Sequence, residues 1–311
     1  MSHSTWSLDD IPDQAGRTVL VTGTTVGGLG HQTALELARR GARVVLAGRS
    51  QEKLDVTEQA IAAEVPAAAL EQLVVDLADL SSVRRAADAA SELGPIDVLV
   101  NNAGVMGTPY HRTADGLEQQ LATNHFGPFL LTGLLLPQLA ASDDATVVAV
   151  SSQMHRIARK APLGDPREQH GRYERWSTYG QTKLANLLFT YELDRRLRGA
   201  SLPVKALAAH PGFASTHLAA NGQYGRSSGG IASILDAAIK VVSPNTPLEG
   251  AMPTLMAATG DLPGGTYCGP GGLLEWGGRP VVVTSNKLSN DESAQRELWE
   301  ISERATGITY P

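Results

Sequence analysis

Tyr179 and Lys183 stand four residues apart at the head of an apolar-periodic run, Leu184, Leu187, Leu188 and Tyr191. That spacing predicts a helix with one buried stripe. Residues four apart on a helix are surface neighbours, so this phenol and this ammonium can face one site. A free tyrosine titrates near ~10, too high for a base at neutral pH, and a nearby ammonium favours the phenolate and lowers that value. Such a pair can move a proton to or from an oxygen. Tyr-x-x-x-Lys also arises by chance, so its meaning depends on whether the rest of the chain builds a site around it.

Two further stretches carry chemistry. Ser151 and Ser152 close the apolar run 145–150, and a hydroxyl at the C-terminal edge of a parallel strand sits where open α/β sheets bind ligands. Gly23, Gly27, Gly28 and Gly30 lie between a strand-like run, 17–23, and a helix-period run through Leu35, Leu37 and Ala38. A second buried run, 44–47, follows Gly41, where a helix would stop. Strand, glycine turn, helix and strand make the shape of a dinucleotide site, in which bare backbone approaches a pyrophosphate at a helix N-terminus. The bland alternative is a flexible glycine turn. An acid at the end of the second strand would suit NAD, and a base would suit the 2′-phosphate of NADP. The chain has Ala47-Gly48-Arg49-Ser50, so Arg49 could fork onto that phosphate or stand as an exposed surface arginine, and NADP is the expected cofactor.

The elements that would position these residues alternate along the chain. Strands are expected at 73–76, 96–100, 203–209 and 280–283, besides the three above. Helices are expected at 51–64, from a cap at Ser81-Ser82 to about 93, after Gly116, at 250–258, and from 291 to about 304. Asp76 ends a strand, where it could meet an adenine or fix its own turn. Asn101 and Asn102 exit another strand and suit loop support, and Gly104 permits close backbone approach. Asn124 and His125 fall among apolar residues of the helix after Gly116. The asparagine needs partners there, and His125 reads as a satisfied helix histidine. No linker-like break or repeat interrupts the pattern. The expected fold is α/β: one Rossmann-type domain over 1–311, a doubly wound, mostly parallel sheet with helices on both faces. Residues 1–16 read as an N-terminal extension and 213–250 as a substrate lid. Phe213, Leu218, Tyr224, Ile231, Ile234, Leu235 and Ile239 give that lid an apolar lining.

Composition sets bounds. Apolar residues make up 42%, enough for a core. The balance of 26 basic and 32 acidic residues gives a net charge of −6, which disfavours nucleic acid as a partner. Six basic and three acidic residues lie in 155–177, a segment read as a solvated loop rather than an anion-attracting rim. Cys268 is the only cysteine, so no internal disulfide forms, and a reducing cytoplasmic setting is compatible. Residues 1–13 lack an apolar signal core, and the most apolar run, 126–141, is short and interrupted by proline. No membrane association and no metal centre are expected.

Together and in this order, Thr22-Gly23, Gly28-x-Gly30, Asp76, Asn101-Asn102-Ala103-Gly104, Asn124, Ser152, Tyr179-x-x-x-Lys183 and His210-Pro211-Gly212 resemble the short-chain dehydrogenase/reductase family over nearly the whole chain. Ser151-Ser152-Gln153-Met154-His155, Lys183-Leu184-Ala185-Asn186 and the long interval from Ser152 to Tyr179 resemble its retinol-dehydrogenase-like branch. The resemblance implies a catalytic set of Asn124, Ser152, Tyr179 and Lys183. Tyr179 would give a proton to a carbonyl or take one from an alcohol, and Ser152 would hydrogen-bond the substrate oxygen. Lys183 would hold the nicotinamide ribose and lower the Tyr179 pKa, and Asn124 would anchor a water that links Lys183 to bulk. It also implies an NADP site formed by Gly23, Thr25, Gly28, Leu29, Gly30, Arg49, Asp76, Leu77, Asn102, Ala103, Gly104, Tyr179, Lys183, Pro211, Gly212 and Thr216, with Asn101 supporting the loop. The partner is then a small molecule, a lipophilic or aromatic carbonyl or alcohol, and a homodimer is left open. One departure stands out. The family's turn is Thr-Gly-x-x-x-Gly-x-Gly, whereas here Thr24-Thr25-Val26-Gly27 puts one extra residue between Gly23 and Gly28. The alternatives are an NADP-sensing regulator without turnover, or a carbon–carbon double-bond reductase of the protochlorophyllide-reductase type.

Overall fold

The β-branched and apolar runs at 18–22, 98–101 and 145–150 become strands that bury both sides of the pleat. The computed structural model describes residues 6–168, 172–212 and 245–311. Among them, eight strands form one sheet: β1 Thr18–Thr22, β2 Arg43–Gly48, β3 Ala69–Val74, β4 Val98–Asn101, β5 Ala145–Val150, β6 Val204–Ala209, β7 Tyr267–Pro270 and β8 Pro280–Val282. Their order is β3-β2-β1-β4-β5-β6-β7-β8. The first seven run parallel, and β8 pairs antiparallel with β7.

Strand period 2 divides the core. Leu20, Val45, Leu99, Val147 and Ala206 point to one face. Val19, Val21, Val44, Val98, Val148 and Leu207 point to the other. Helices α1 (Leu29–Arg39), α2 (Gln51–Glu64) and α6 (Pro247–Thr259) cover the second face. Helices α3 (Leu80–Ala90), α4 (Gly127–Ala140), α5 (Arg175–Gly199) and α7 (Glu292–Thr306) cover the first. Continuous apolar strands are therefore buried on both sides, as a parallel sheet requires. The Rossmann-type α/β fold expected from the sequence is the one observed.

Local chemistry moved several boundaries. Asp79 caps α3 by accepting from the Ser81 and Ser82 backbone N–H groups, so those serines sit inside the helix rather than before it. α5 begins at Arg175, one turn ahead of Tyr179. The helix expected after Gly116 is compound: a turn at Gln119–Leu121, a π-helical turn at Ala122–Phe126, then α4. β7 lies in a glycine-rich stretch for which no strand is expected, because its four residues are too short to show a pattern. Thr246 and Glu249 form a reciprocal cap on α6, so helix already occupies 247–250, the end of the expected lid. Residues 213–244, with Thr216 and the apolar lining assigned to that lid, lie outside the described residues. Among the described residues no helix is long and apolar enough to cross a membrane.

The connections position the site. Chain order runs outward from β1 to β3 on one side and from β4 onward on the other. The carboxyl ends of β1 and β4 thus flank the point where the order reverses, where such sheets leave a crevice.

Candidate active site

A cleft opens at that crevice, and Gly23, Thr25, Gly28, Leu29, Arg49, Asp76, Leu77, Asn102, Ala103 and Gly104 all line it. Its floor is bare backbone for a steric reason. Gly23 has φ +75°, and a Cβ there would lie 2.8 Å from Ala103 Cα. A Cβ on Gly30 would lie 2.5 Å from both the Gly23 carbonyl oxygen and Asn102 Nδ2. Gly30 is therefore a buried packing residue beneath the turn rather than part of the lining. Asn102 fastens the arrangement: its amide donates to the Thr22 carbonyl at 2.7 Å and the Gly23 carbonyl at 3.2 Å. The Thr22 hydroxyl accepts from the Asn102 and Ala103 backbone N–H groups, both at 3.0 Å. Asn101 bonds away from the cleft, to Thr132 Oγ1 on α4 at 3.0 Å, so loop support falls to Asn102.

The extra residue of the glycine turn is absorbed locally. Gly28 N–H donates to the Thr25 carbonyl at 3.0 Å, Gly27 takes φ +80°, and Val26 is left exposed at the cleft's edge. Gly28 then caps α1, whose first N–H groups face the turn.

At the end of β2, Arg49 is exposed and makes no hydrogen bond or ion pair among the described residues. Lys53, one turn into α2, lines the same cleft and was missed in the sequence; its spacing of four from Arg49 was the available signal. Asp76 Oδ1 accepts from Ala78 N–H at 2.9 Å, which fixes its own turn, and the residue also lines the cleft. What the cleft offers a dinucleotide is thus a floor of bare backbone, packed too tightly at Gly23 and Gly30 for a Cβ, and two cations, Arg49 and Lys53, in its lining.

α5 is docked against the end of β5 by polar contacts. The Ser151 hydroxyl donates to the Lys183 carbonyl at 2.8 Å, and Lys183 Nζ and Asn186 Nδ2 donate to the Val150 carbonyl at 2.9 and 3.0 Å. Gly180 allows the close approach, since a Cβ there would lie 2.8 Å from the Met154 carbonyl oxygen. Ser152 precedes the 3₁₀ turn Gln153–Ile157, and its hydroxyl accepts from Met154 N–H at 3.2 Å. The Ser152 side chain lies close enough to the Tyr179 phenol to act on its pKa. Tyr179, Lys183 and Ser152 are thereby brought together at the sheet's carboxyl edge.

Burial sets their protonation. It pushes the Tyr179 phenol up to about 12, against the Ser152 side chain, which lowers it. It holds the Lys183 amine down to about 8. The expected lowering of Tyr179 by Lys183 is not found: burial raises the phenol, and the group that opposes the rise is Ser152, not the amine. The amine lies 5.7 Å from the centre of the tyrosine ring and donates to Val150. At neutral pH the phenol is protonated.

Asn124, in the π-helical turn, clamps the backbone of Val105 by accepting from its N–H at 2.8 Å and donating to its carbonyl at 2.9 Å. Its amide also reaches Thr182 Oγ1, beside Lys183, at 3.0 Å. A Cβ on Gly104 would lie 3.1 Å from Asn124 Oδ1 and 3.6 Å from Lys183 Nζ, so the cleft's end meets the tyrosine site there. His125 bonds Ser302 Oγ at 2.8 Å through Nε2, and its Nδ1 has no partner among the described residues. Its expected satisfaction is only half met, and burial pushes it down to about 3. His155, which carried no role in the sequence, pins the Ser152 turn: its Nδ1 bonds the Ser152 carbonyl at 2.7 Å and its Nε2 accepts from Asn286 N–H at 3.3 Å. Pro211 and Gly212 follow β6, outside the cleft lining.

Residues 17–162 match the family model for short chain dehydrogenases. Human retinol dehydrogenase 13 is 39% identical over 303 residues, covering 95% of this chain and 86% of the relative. The crystal structure of an uncharacterized protein from Mycobacterium paratuberculosis is 42% identical, with a TM-score of 0.78, covering 99% of this chain and 100% of that one. A structure described as an NAD(P)-dependent gluconate 5-dehydrogenase from Beutenbergia cavernae, with bound NADP, is 25% identical, with a TM-score of 0.58, over 79% of this chain and 90% of that one.

Proposed function

The chain belongs to the short-chain dehydrogenase family, in its retinol-dehydrogenase-like branch, and from that membership we propose an NADP-dependent oxidoreductase that interconverts a carbonyl and an alcohol. The observation that carries the reading is the meeting of Tyr179, Ser152 and Lys183 beside a glycine-floored cleft with Arg49 and Lys53 at its far end.

In this reading Thr25, Gly28 and Leu29 offer backbone to a pyrophosphate, and Arg49 with Lys53 takes the 2′-phosphate. When bound, the nicotinamide supplies or accepts the hydride. The Ser152 hydroxyl orients the substrate oxygen next to the Tyr179 phenol. The phenol, protonated at neutral pH because burial raises it to about 12, gives its proton to that oxygen as charge develops there. Lys183, close to its own pKa of about 8, stabilises the phenolate that remains. Asn124 holds the Val105 loop and Thr182 so that Gly104 and Lys183 keep their spacing.

A lipophilic or aromatic substrate is supported by two exposed apolar side chains on the Tyr179 side, Trp176 and Ile157. Trp176 lies one helical turn before Tyr179 and against Gly107, and Ile157 lies against Gly180. The relative's name, a retinol dehydrogenase, points the same way. We read 1–311 as one domain, with the protein working on a small molecule in the cytoplasm.

The test is NADPH consumption in the dark with a panel of aromatic and alicyclic carbonyls, beside NADH and beside Tyr179→Phe. The expected result is NADPH-linked turnover that falls at least ~10²-fold in Tyr179→Phe. Turnover that survives the substitution removes Tyr179 from its role, and preference for NADH removes Arg49 from its own.

A further inference from the structure

We propose that Glu275 is a positioning residue of this site, tying the turn that follows Ser152 to the His210-Pro211-Gly212 segment at the end of β6. The proposal rests on the carbonyl–alcohol reading above, and it concerns a residue outside every motif of the sequence.

Three donors converge on one carboxylate. Oε2 accepts from His210 Nε2 at 2.9 Å and from Gln153 Nε2, and Oε1 accepts from Arg156 Nη2 at 3.1 Å. Gln153 and Arg156 belong to the 3₁₀ turn that Ser152 opens, and His210 directly follows β6. The histidine tautomer follows from its other nitrogen: Gly212 N–H donates to Nδ1 at 3.2 Å, so Nε2 carries the proton that Glu275 accepts. Arg156 also holds the Thr284 carbonyl at 2.7 Å, which anchors the same corner to the strand β8 connection. The bond from His210 and the Arg156 guanidinium keep the Glu275 carboxyl below its usual range, so it is ionised and accepts from all three.

The backbone is bent to place it. Leu274 and Glu275 both adopt left-handed conformations, with φ of +54° and +56°. Neither residue favours that region, and such outliers persist only where the surroundings over-determine them. Here they do. Asn245 Nδ2 donates to the Trp276 carbonyl at 2.7 Å. A Cβ on Gly212 would come within 2.9 Å of the Glu275 carbonyl and 2.7 Å of the Trp276 carbonyl, so the bent turn rests directly on Gly212. One carboxylate thus fixes the distance between the substrate-oxygen side, through Ser152, and the segment at Pro211-Gly212.

The experiment compares wild type, Glu275→Ala and Glu275→Gln by steady-state kinetics at saturating NADPH, by thermal melting, and by amide hydrogen exchange. A misplaced catalytic group can cost on the order of 10²-fold, so Glu275→Ala is expected to lower kcat by about that factor with KM changed less than about threefold. Glutamine can keep an oxygen toward His210 and Gln153 and loses only the Arg156 arm, so Glu275→Gln is expected to stay within about tenfold of wild-type kcat. Exchange in Glu275→Ala is expected to quicken in peptides covering 153–158 and 210–212 and to stay unchanged elsewhere. Wild-type kcat in Glu275→Ala, equal losses in both variants, or exchange that quickens throughout the chain would each overturn the proposal. If the alanine variant does not fold, the glutamine variant decides through local exchange, which is expected to quicken in 153–158 where the Arg156 arm is lost; unchanged exchange there would overturn the proposal. If the wild type turns over no carbonyl, the reaction reading fails on its own, and the exchange measurement still decides whether Glu275 ties the two segments.

Discussion

Replacing Gly30 by alanine should damage the cofactor cleft out of proportion to the size of a methyl group. The new Cβ would sit 2.5 Å from the Gly23 carbonyl oxygen and 2.5 Å from Asn102 Nδ2. The carbonyl belongs to the backbone just past β1 and cannot swing aside, so the Asn102 amide or the start of α1 must move. The amide's two bonds, to the Thr22 and Gly23 carbonyls, are the clamp that closes the turn. Each is worth about 1 kcal/mol net, and overpacking adds about 1–3 kcal/mol. A loss of about 3 kcal/mol centred on the turn corresponds to roughly 10²-fold in affinity if it is expressed in binding. Expressed in folding, it lowers Tm by about 5 °C for a chain of 311 residues. Gly28→Ala is the control, because its only close neighbour would be the Thr25 carbonyl at 3.0 Å. NADPH fluorescence titration and melting curves of both variants provide the assay. The expected outcome is a large loss of NADPH affinity or of Tm in Gly30→Ala, and a loss of less than about tenfold in affinity in Gly28→Ala. A Gly30→Ala protein that melts and binds like wild type would refute the steric account of the cradle.

Other outcomes follow from the same geometry. Arg49→Ala should raise the NADPH Kd by about 10- to 100-fold, the value of a charge-assisted contact of roughly 1.5–3 kcal/mol, and leave NADH binding within about twofold; equal effects on both cofactors would contradict the 2′-phosphate role. Acid should destabilise the fold through His125. The unfolded residue takes a proton near its ordinary 6.5, whereas the folded one does so only at about 3. The unfolded state therefore binds more protons across that window, and stability falls as pH falls through it, by about 3 kcal/mol between pH 7 and pH 4. Urea unfolding at those two pH values should show that loss, and His125→Gln should remove most of it. An unchanged pH slope in the variant would assign the acid sensitivity elsewhere.

The sequence carried the fold because the parallel strands are uninterrupted apolar runs and because their connections obey helix periodicity. It carried the residues that meet at the site because their types are tied to local backbone needs: glycine at Gly23 where φ is +75°, and asparagine at Asn102 where two carbonyls need a donor. What it lacked was tertiary. Nothing in the spacing of Tyr179 and Lys183 reveals that burial raises the phenol to about 12 and holds the amine down to about 8. The π-helical turn at Asn124 leaves no periodic signature over its five residues. β7 is strand only because β6 offers it an edge. Glu275 and Lys53 carried no signal strong enough to single them out: the first meets partners 65 to 122 residues away, and the second lines the cleft only once α2 is placed.

Deuterium transfer tests the central claim most directly. NADPH labelled with deuterium at the hydride position of its nicotinamide would be incubated in the dark with an accepted carbonyl substrate that also carries a conjugated carbon–carbon double bond. The account predicts one deuterium at the carbon bearing the new hydroxyl, with no such product from Tyr179→Phe. Deuterium on a former alkene carbon, or an alcohol formed without deuterium, would contradict it.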